Sequence, residues 1–327
     1  MISRRAFVTV LGGALAAPQL LLAQPKVARI GFFYFGSRRS AMESGRYTAF
    51  VDAMRRLGYV EGRNLVIEGR FADGRSERLA GLADELLRSK VDVIVATGTP
   101  VYPVLKRATT TIPVVITVSA DPVVEGFAAS LAHPGGNFTG LSTGNLELYP
   151  KEIELLRLAV PKLSRVAVLW NSENTAHPAG MKTMRETTKR AGLSPIEVNA
   201  PTPEEIERGF ASMARQRADA VVILNDTFFF QQLEQISSLA LRHRLPSLYG
   251  AVEYAEAGGF IGYGQRVLDN FGSAAIYVDK ILKGARPGDL PIEQPMRVEL
   301  AINRRTAKAI GLAIPPELLL RADKVIE

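Results

Sequence analysis

Gly135-Gly136-Asn137-Phe138-Thr139-Gly140-Leu141-Ser142 lies close to the middle of a chain of 327 residues. A run of alternating strand and helix patterns precedes it, and the same alternation starts again after it. Three glycines in six positions allow backbone angles that a Cβ forbids, and they pack little core of their own. The stretch therefore reads as a crossover between two similar lobes, and so as part of a hinge. A cleft between lobes is the natural place for a ligand.

Before the crossover, Val27 to Phe35 is an apolar run with Arg29 inside it, the pattern of a strand buried on both faces. Glu43 to Leu57 has helical spacing, with Tyr47, Phe50, Val51, Met54 and Leu57 on one face and Gly58 as the stop. Leu65 to Glu68 starts a second strand, and Ser76 caps a helix whose apolar face is Leu79, Leu82, Ala83, Leu86 and Leu87. Val91 to Ala96 and Ile112 to Val118 are the third and fourth strands. Strand–helix alternation at this length predicts parallel β-α-β units with right-handed crossovers.

After the crossover, strands are expected at Arg165 to Trp170, Pro195 to Val198, Ala218 to Leu224, Leu245 to Tyr249 and Gly258 to Gly264. Helices are expected over Glu147 to Val160, Ala176 to Ala191, Phe228 to Arg244 and Val267 to Leu282, with one starting at Thr202. In the tail, Met296 to Asn303 alternates like an edge strand. The expected division is 1–23 as a signal, 24–140 with about 265–290 as the first lobe, and 141–264 with about 291–327 as the second lobe and hinge return.

Composition excludes several chemistries. The chain is 47% hydrophobic and 22% charged, ordinary for a globular protein. It has no cysteine, and His133, His177 and His243 share no ligand spacing, so no metal site is expected. Ser3-Arg4-Arg5-Ala6-Phe7, the apolar run Val8 to Ala17 and the small residue Ala23 read as a twin-arginine-like export signal cleaved near Ala23. Removing it lowers the formal charge from +7 to +5, with the remaining basic residues scattered along helices. That pattern is a solvated surface and does not argue for nucleic acid.

Ligands of parallel sheets sit beyond the C-terminal strand ends. Three short polar turns meet that edge in the first lobe, at Ser37 to Ser40, Thr97-Gly98-Thr99-Pro100 and Ser119 to Pro122. Helix N-termini there suit an anion such as a carboxylate, although Ser and Thr also cap helices with no ligand present. Asp121, Asp226 and Glu253 lie in turns beyond strand ends. Paired acids could act as acid and base, but without a nucleophile or cofactor motif, holding an amino group is the better reading. Asn171 opens the turn after the Trp170 strand. Aromatic side chains, Phe228 and Tyr249 among them, gather at the same edge. Phe228 to Phe230 cannot all face the core, because adjacent helical residues point about 100° apart. Gly140-Leu141-Ser142-Thr143-Gly144 matches the G-x-S-x-G of serine hydrolases, but no histidine on a catalytic turn follows it. No dinucleotide or Walker motif is present, so no cofactor is expected.

Several segments together resemble one family. They are Leu57-Gly58-Tyr59-Val60-Glu61-Gly62, Val91 to Thr99, Asp121-Pro122-Val123, Pro134-Gly135-Gly136-Asn137 with Thr139-Gly140, Tyr277 to Gly284, Leu290 to Pro295 and Arg321 to Ile326. The chain resembles the exported substrate-binding proteins of ABC transporters, in the group related to the tryptophan-binding TrpX proteins. The resemblance implies a type I periplasmic-binding fold: two Rossmann-like α/β lobes with parallel sheets, joined by a three-strand hinge. Further crossings are then expected near Gly250 to Gly264 and Leu290 to Val298. It implies a periplasmic, monomeric receptor with no catalytic residues that delivers a small molecule to an inner-membrane ABC permease. For an amino acid or small aromatic carboxylate, it implies that the carboxylate meets Ser37, Thr97, Gly98 and Thr99, and that an ammonium meets Asp226 or Asp121. The chain has Asn171-Ser172 where relatives often read Asn-Pro, and Asn225-Asp226 where many have a proline. The alternatives are a ligand-sensing module for a membrane receptor and, more remotely, a hydrolase using Ser142.

Overall fold

The computed structural model describes residues 27–294 and 297–327. The export signal read over residues 1–23 lies outside them. In chain order the first elements are β1 (Ala28–Tyr34), α1 (Arg38–Glu43), α2 (Arg46–Arg56), β2 (Leu65–Phe71), α3 (Leu79–Arg88), β3 (Val93–Thr97), α4 (Val101–Ala108), β4 (Val114–Ile116) and β5 (Phe138–Gly140). Their strands form one parallel sheet in the order β2-β1-β3-β4-β5. The helix expected over Glu43 to Leu57 is two helices, broken at Gly45, whose φ of 73° no L side chain adopts easily.

The second set comprises α5 (Asn145–Ala159), β6 (Arg165–Trp170), α6 (His177–Arg190), β7 (Ser194–Asn199), α7 (Pro203–Arg215), β8 (Ala220–Ile223), α8 (Thr227–Gln231), α9 (Leu233–Arg242), β9 (Ser247–Ala251), α10 (Glu253–Glu256) and β10 (Ile261–Gln265). After α11 (Val267–Leu282) come β11 (Glu299–Asn303), α12 (Arg304–Ile310), α13 (Pro316–Leu320) and β12 (Lys324–Ile326). The second sheet runs β12-β11-β10-β9-β8-β6-β7, with only the β10–β11 pair antiparallel. The strand expected at the sheet edge, β11, is interior, because the three-residue β12 pairs along its far side.

The opening stretch is half strand and half crossing. Phe138–Gly140 is β5, which sequence periodicity did not reveal because it is only three residues long. Asn137 fixes its start by donating from Nδ2 to the carbonyls of Ile112 (2.8 Å) and Thr109 (3.2 Å). Gly140 has φ 129°, and a Cβ there would lie 2.2 Å from the Ile116 carbonyl oxygen, so no other residue fits. The chain then leaves the first sheet through Leu141 and Ser142. A second passage runs from Gln265 into α11, just past the glycine-rich stretch where it was expected. The third brings Leu290 to Glu293 alongside the first: the Glu293 N–H donates to Gly140 O (3.0 Å) and the Ser142 N–H to Glu293 O (2.9 Å).

Helix α11 carries the chain back onto the first sheet, where it lies against α2. Phe32, Phe50 and Phe271 meet there with ring centroids 5.8 and 6.4 Å from Phe32, all fully buried. Burying each such ring stabilises the fold by roughly 1.5–3 kcal/mol, enough to anchor this helix to a lobe distant in sequence.

Candidate functional site

Between the carboxyl ends of the two sheets lies a small cavity lined by both lobes. The first lobe lines it with Arg46, Thr97 and Thr99, and the second with Asn225, Asp226, Phe230 and Tyr249. Gln265, at the second passage, closes one side.

Thr97 ends β3, and its hydroxyl lies 2.7 Å from that of Thr117 beside it. Arg46 starts α2, in register with the buried residues Phe50, Ala53 and Met54 of the same helix. That register carries its guanidinium inward, and the residue is 3% exposed. Its Nη1 donates to the Tyr34 hydroxyl, and Cζ stacks 4.1 Å over the Phe230 ring of the other lobe. Its Nε is buried with no hydrogen-bond partner, and among the described residues no carboxylate lies within 4.0 Å of it.

Asp226 follows β8 and caps α8. Oδ1 accepts from the Phe228 and Phe229 N–H groups, and Oδ2 from Nδ2 of Asn174 (2.8 Å) and Asn171 (3.1 Å). Those four bonds use the acceptor capacity of a carboxylate but bring no compensating charge. His177 stands 3.8 Å from Oδ2. Its Nδ1 accepts from the Asn171 N–H (2.8 Å), so Nε2 carries the proton and faces Asn225 O at 3.1 Å. Burial lowers the His177 pKa below the usual imidazole value, against the pull of Asp226. The ring is therefore neutral at pH 7 and brings no counter-charge to Asp226.

Two neutral side chains add unpaired atoms. Asn225 donates from Nδ2 to Gly250 O (3.2 Å), which fixes its amide and leaves Oδ1 buried without a donor. Gln265 is 5% exposed, and its Nε2 is buried without an acceptor. Buried polar atoms are almost always hydrogen-bonded, so orphans gathered at one cavity mark where a ligand completes the set.

Of the residues singled out from sequence, Thr97, Thr99, Asp226 and Tyr249 line this cavity. The Tyr249 hydroxyl donates to Asp226 O at 3.1 Å. Asn171 stands behind Asp226, and with Phe228 it lines a second hollow at the mouth, facing Phe35 and Pro100. Four others are not brought to the cavity. Ser37 caps α1, accepting from the Ser40 N–H (3.0 Å). Gly98, with φ 109°, packs against Phe35 and Thr227. Asp121 is spent on a local turn, accepting from the Val123 and Val124 N–H groups (3.0 Å each). Glu253 accepts from the Val267 N–H (2.8 Å) at the second passage. Ser142 is held in the hinge, donating to Ala120 O (3.4 Å) and accepting from the Gly144 N–H (3.3 Å). The two departures from the family pattern both have uses. The Ser172 N–H, which proline lacks, donates to Asn199 Oδ1 (2.8 Å), and Asn225 supplies an orphan acceptor.

The family model described as ABC transporter substrate binding protein matches residues 38–326. The chain belongs to the ABC transporter substrate-binding protein family. A relative, the tyrosine-binding protein of Clostridioides difficile (strain R20291), is 24% identical over 266 residues, covering 80% of this chain and 75% of that protein. A conserved domain protein of Vibrio cholerae O1 biovar El Tor has a similar structure, with TM-score 0.85 and 26% identity over 92% of this chain and 100% of its own. An ABC domain of Streptococcus pneumonia in complex with L-Trp gives TM-score 0.83 and 24% identity over 91% of this chain and 99% of its own. The two parallel-sheet lobes are those of the type I periplasmic-binding fold. A member of the substrate-binding family takes a small-molecule ligand and works with a membrane transporter. Among the described residues no helix is long and apolar enough to cross a membrane.

Proposed function

We propose that this substrate-binding protein captures a free α-amino acid as its zwitterion and presents it to an ABC permease. One observation carries the reading. Among the described residues, a buried arginine with no carboxylate within 4.0 Å stands on one lobe, and a buried carboxylate whose one basic neighbour within that distance is the neutral His177 stands on the other, at the same cavity. Each charge is costly to bury alone, and an opposite charge delivered by a ligand removes that cost. Arg46 suits the ligand carboxylate, because guanidinium binds carboxylate as a fork. Thr97 and Thr99 supply the neighbouring hydroxyls. Asp226 suits the ammonium through its charge, with the Thr99 hydroxyl offering a further acceptor. Two relatives, the tyrosine-binding protein and the ABC domain in complex with L-Trp, have ligands of this chemical class.

On this reading the protein does no catalysis and is a monomer, exported to the periplasm by its N-terminal segment. The test is calorimetric titration of the purified protein, refolded to strip any carried ligand, with the twenty amino acids and with their deaminated acids. At least one amino acid is expected to bind in the micromolar range or tighter. Asp226→Ala is expected to weaken that amino acid far more than the matching acid without its amino group; equal losses would remove the ammonium role. Binding by none of the twenty would overturn the assignment.

A further inference from the structure

Beyond the charged pair, the cavity keeps one orphan acceptor and one orphan donor. Asn225 Oδ1 is buried without a donor, and the other end of its amide is fixed on Gly250 O. Gln265 Nε2 is buried without an acceptor, on a side chain 5% exposed. Asn225 follows β8 and Gln265 ends β10, so they approach from the two strands that flank β9. Gln265 pairs with Ala251 of β9, next to the Gly250 that Asn225 touches. A Cβ on Gly250 would lie 2.2 Å from Asn225 Nδ2, so the glycine is what lets this amide lie across the strand end.

We infer that Asn225 and Gln265 select the ligand's side chain. The preferred amino acid carries an uncharged terminal group that both donates and accepts a hydrogen bond, a hydroxyl or a primary carboxamide. This rests on the amino-acid reading above and narrows it. The donor of such a group meets Asn225 Oδ1, and its acceptor meets Gln265 Nε2. An aliphatic or phenyl side chain strands both protein atoms, and an indole N–H meets only one of them. Stranding a buried polar atom costs about 1–3 kcal/mol, which is why sites built to bond a hydroxyl reject the analogue lacking it.

The experiment is titration of the wild-type protein with matched ligands: L-tyrosine against L-phenylalanine, L-serine against L-alanine, and L-glutamine against L-methionine. The hydroxyl arms and the carboxamide arm identify which group is read. The tightest binder of the set is expected to be a hydroxyl or carboxamide member, about tenfold or more ahead of its apolar match. Gln265→Met, similar in shape but without the donor, is expected to shrink that ratio toward one, because the polar ligand loses a bond and its apolar match no longer strands a donor. If amino acids bind but the apolar member of each pair binds as tightly as its polar partner, the side-chain inference falls and the zwitterion reading stands. If no amino acid binds, both fall.

Discussion

Replacing Arg46 with methionine tests the functional reading most directly. Methionine keeps an unbranched apolar stem in the space of the arginine and deletes only the guanidinium. In the ligand complex the guanidinium would form a charge pair in a site where it is 3% exposed and has no carboxylate of its own among the described residues. Truncating one partner of a buried, hydrogen-bonded charge pair costs about 2–5 kcal/mol. At about 1.4 kcal/mol per factor of ten, the dissociation constant should rise roughly 30-fold to several thousandfold. The empty protein should respond differently. It loses the bond to Tyr34 and the stack on Phe230, the latter worth about 0.5–2 kcal/mol, and it is relieved of an unpaired buried charge. These oppose each other, so its melting temperature should move by only a few degrees. Calorimetric titration with the best amino acid, alongside thermal melts without ligand, reads both quantities. A dissociation constant within about threefold of wild type, in a variant that melts normally, would refute the placement of the carboxylate at Arg46.

Three further outcomes are expected. Gly140→Ala would force a Cβ to 2.2 Å from the Ile116 carbonyl at φ 129°, so the variant should lose more than about 3 kcal/mol by urea denaturation or fail to fold; wild-type stability would contradict the close approach. Gly250→Ala should push the Asn225 amide off the strand end and weaken the best ligand about tenfold, while the empty fold loses only about 1 kcal/mol with the bond to Gly250 O; unchanged affinity would remove Asn225 from the binding wall. Glu152, buried on α5, has its carboxyl pushed up from 4.5 to about 8 by burial alone. The folded state then holds a proton that the unfolded chain has released. This stabilisation is full below pH 4.5 and is lost as pH rises toward 8, at about 1.4 kcal/mol per unit. Urea midpoints should fall more steeply from pH 5 to 8 in wild type than in Glu152→Gln, and parallel curves would show that Glu152 is ionised in the fold.

The sheets were legible because their strands are buried on both faces and so appear as unbroken apolar runs; β1, β3, β6 and β8 are such cases. The three-residue strands β5 and β12 were not, since periodicity needs more residues than they contain. At the site, Thr97, Thr99, Asp226 and Tyr249 could be read from the rule that strand ends face the ligand. Asp121 obeys the same rule and is spent on its own turn, a distinction that depends on local hydrogen bonds sequence does not display. Arg46 was missed because an arginine on an amphipathic helix ordinarily faces water. The signal was present in its spacing: position 46 shares a face with 50, 53 and 54, all buried. A charged residue in register with an apolar stripe is either paired in the core or aimed at a ligand, and among the described residues no acid lies within 4.0 Å of Arg46.

The same unpaired atoms bear on how the lobes close. Arg46 of the first lobe stacks on Phe230 of the second, a contact worth about 0.5–2 kcal/mol in favour of closure. Against it stand three atoms sealed without partners, Arg46 Nε, Asn225 Oδ1 and Gln265 Nε2, each costing about 1–3 kcal/mol. When the lobes part, water can reach these atoms and remove that cost. The balance for the empty protein therefore tilts toward the open arrangement. A ligand that bonds all three removes the penalty only in the closed arrangement, which is the differential affinity a population shift requires. Gln265 has a second place in this balance, because it ends β10 where the chain passes from one lobe to the other. A bond from the ligand to its amide holds the cavity wall and the hinge strand together. Filling the site and fixing the hinge are then one event, and a molecule that fills the space without making that bond should bind without stabilising closure.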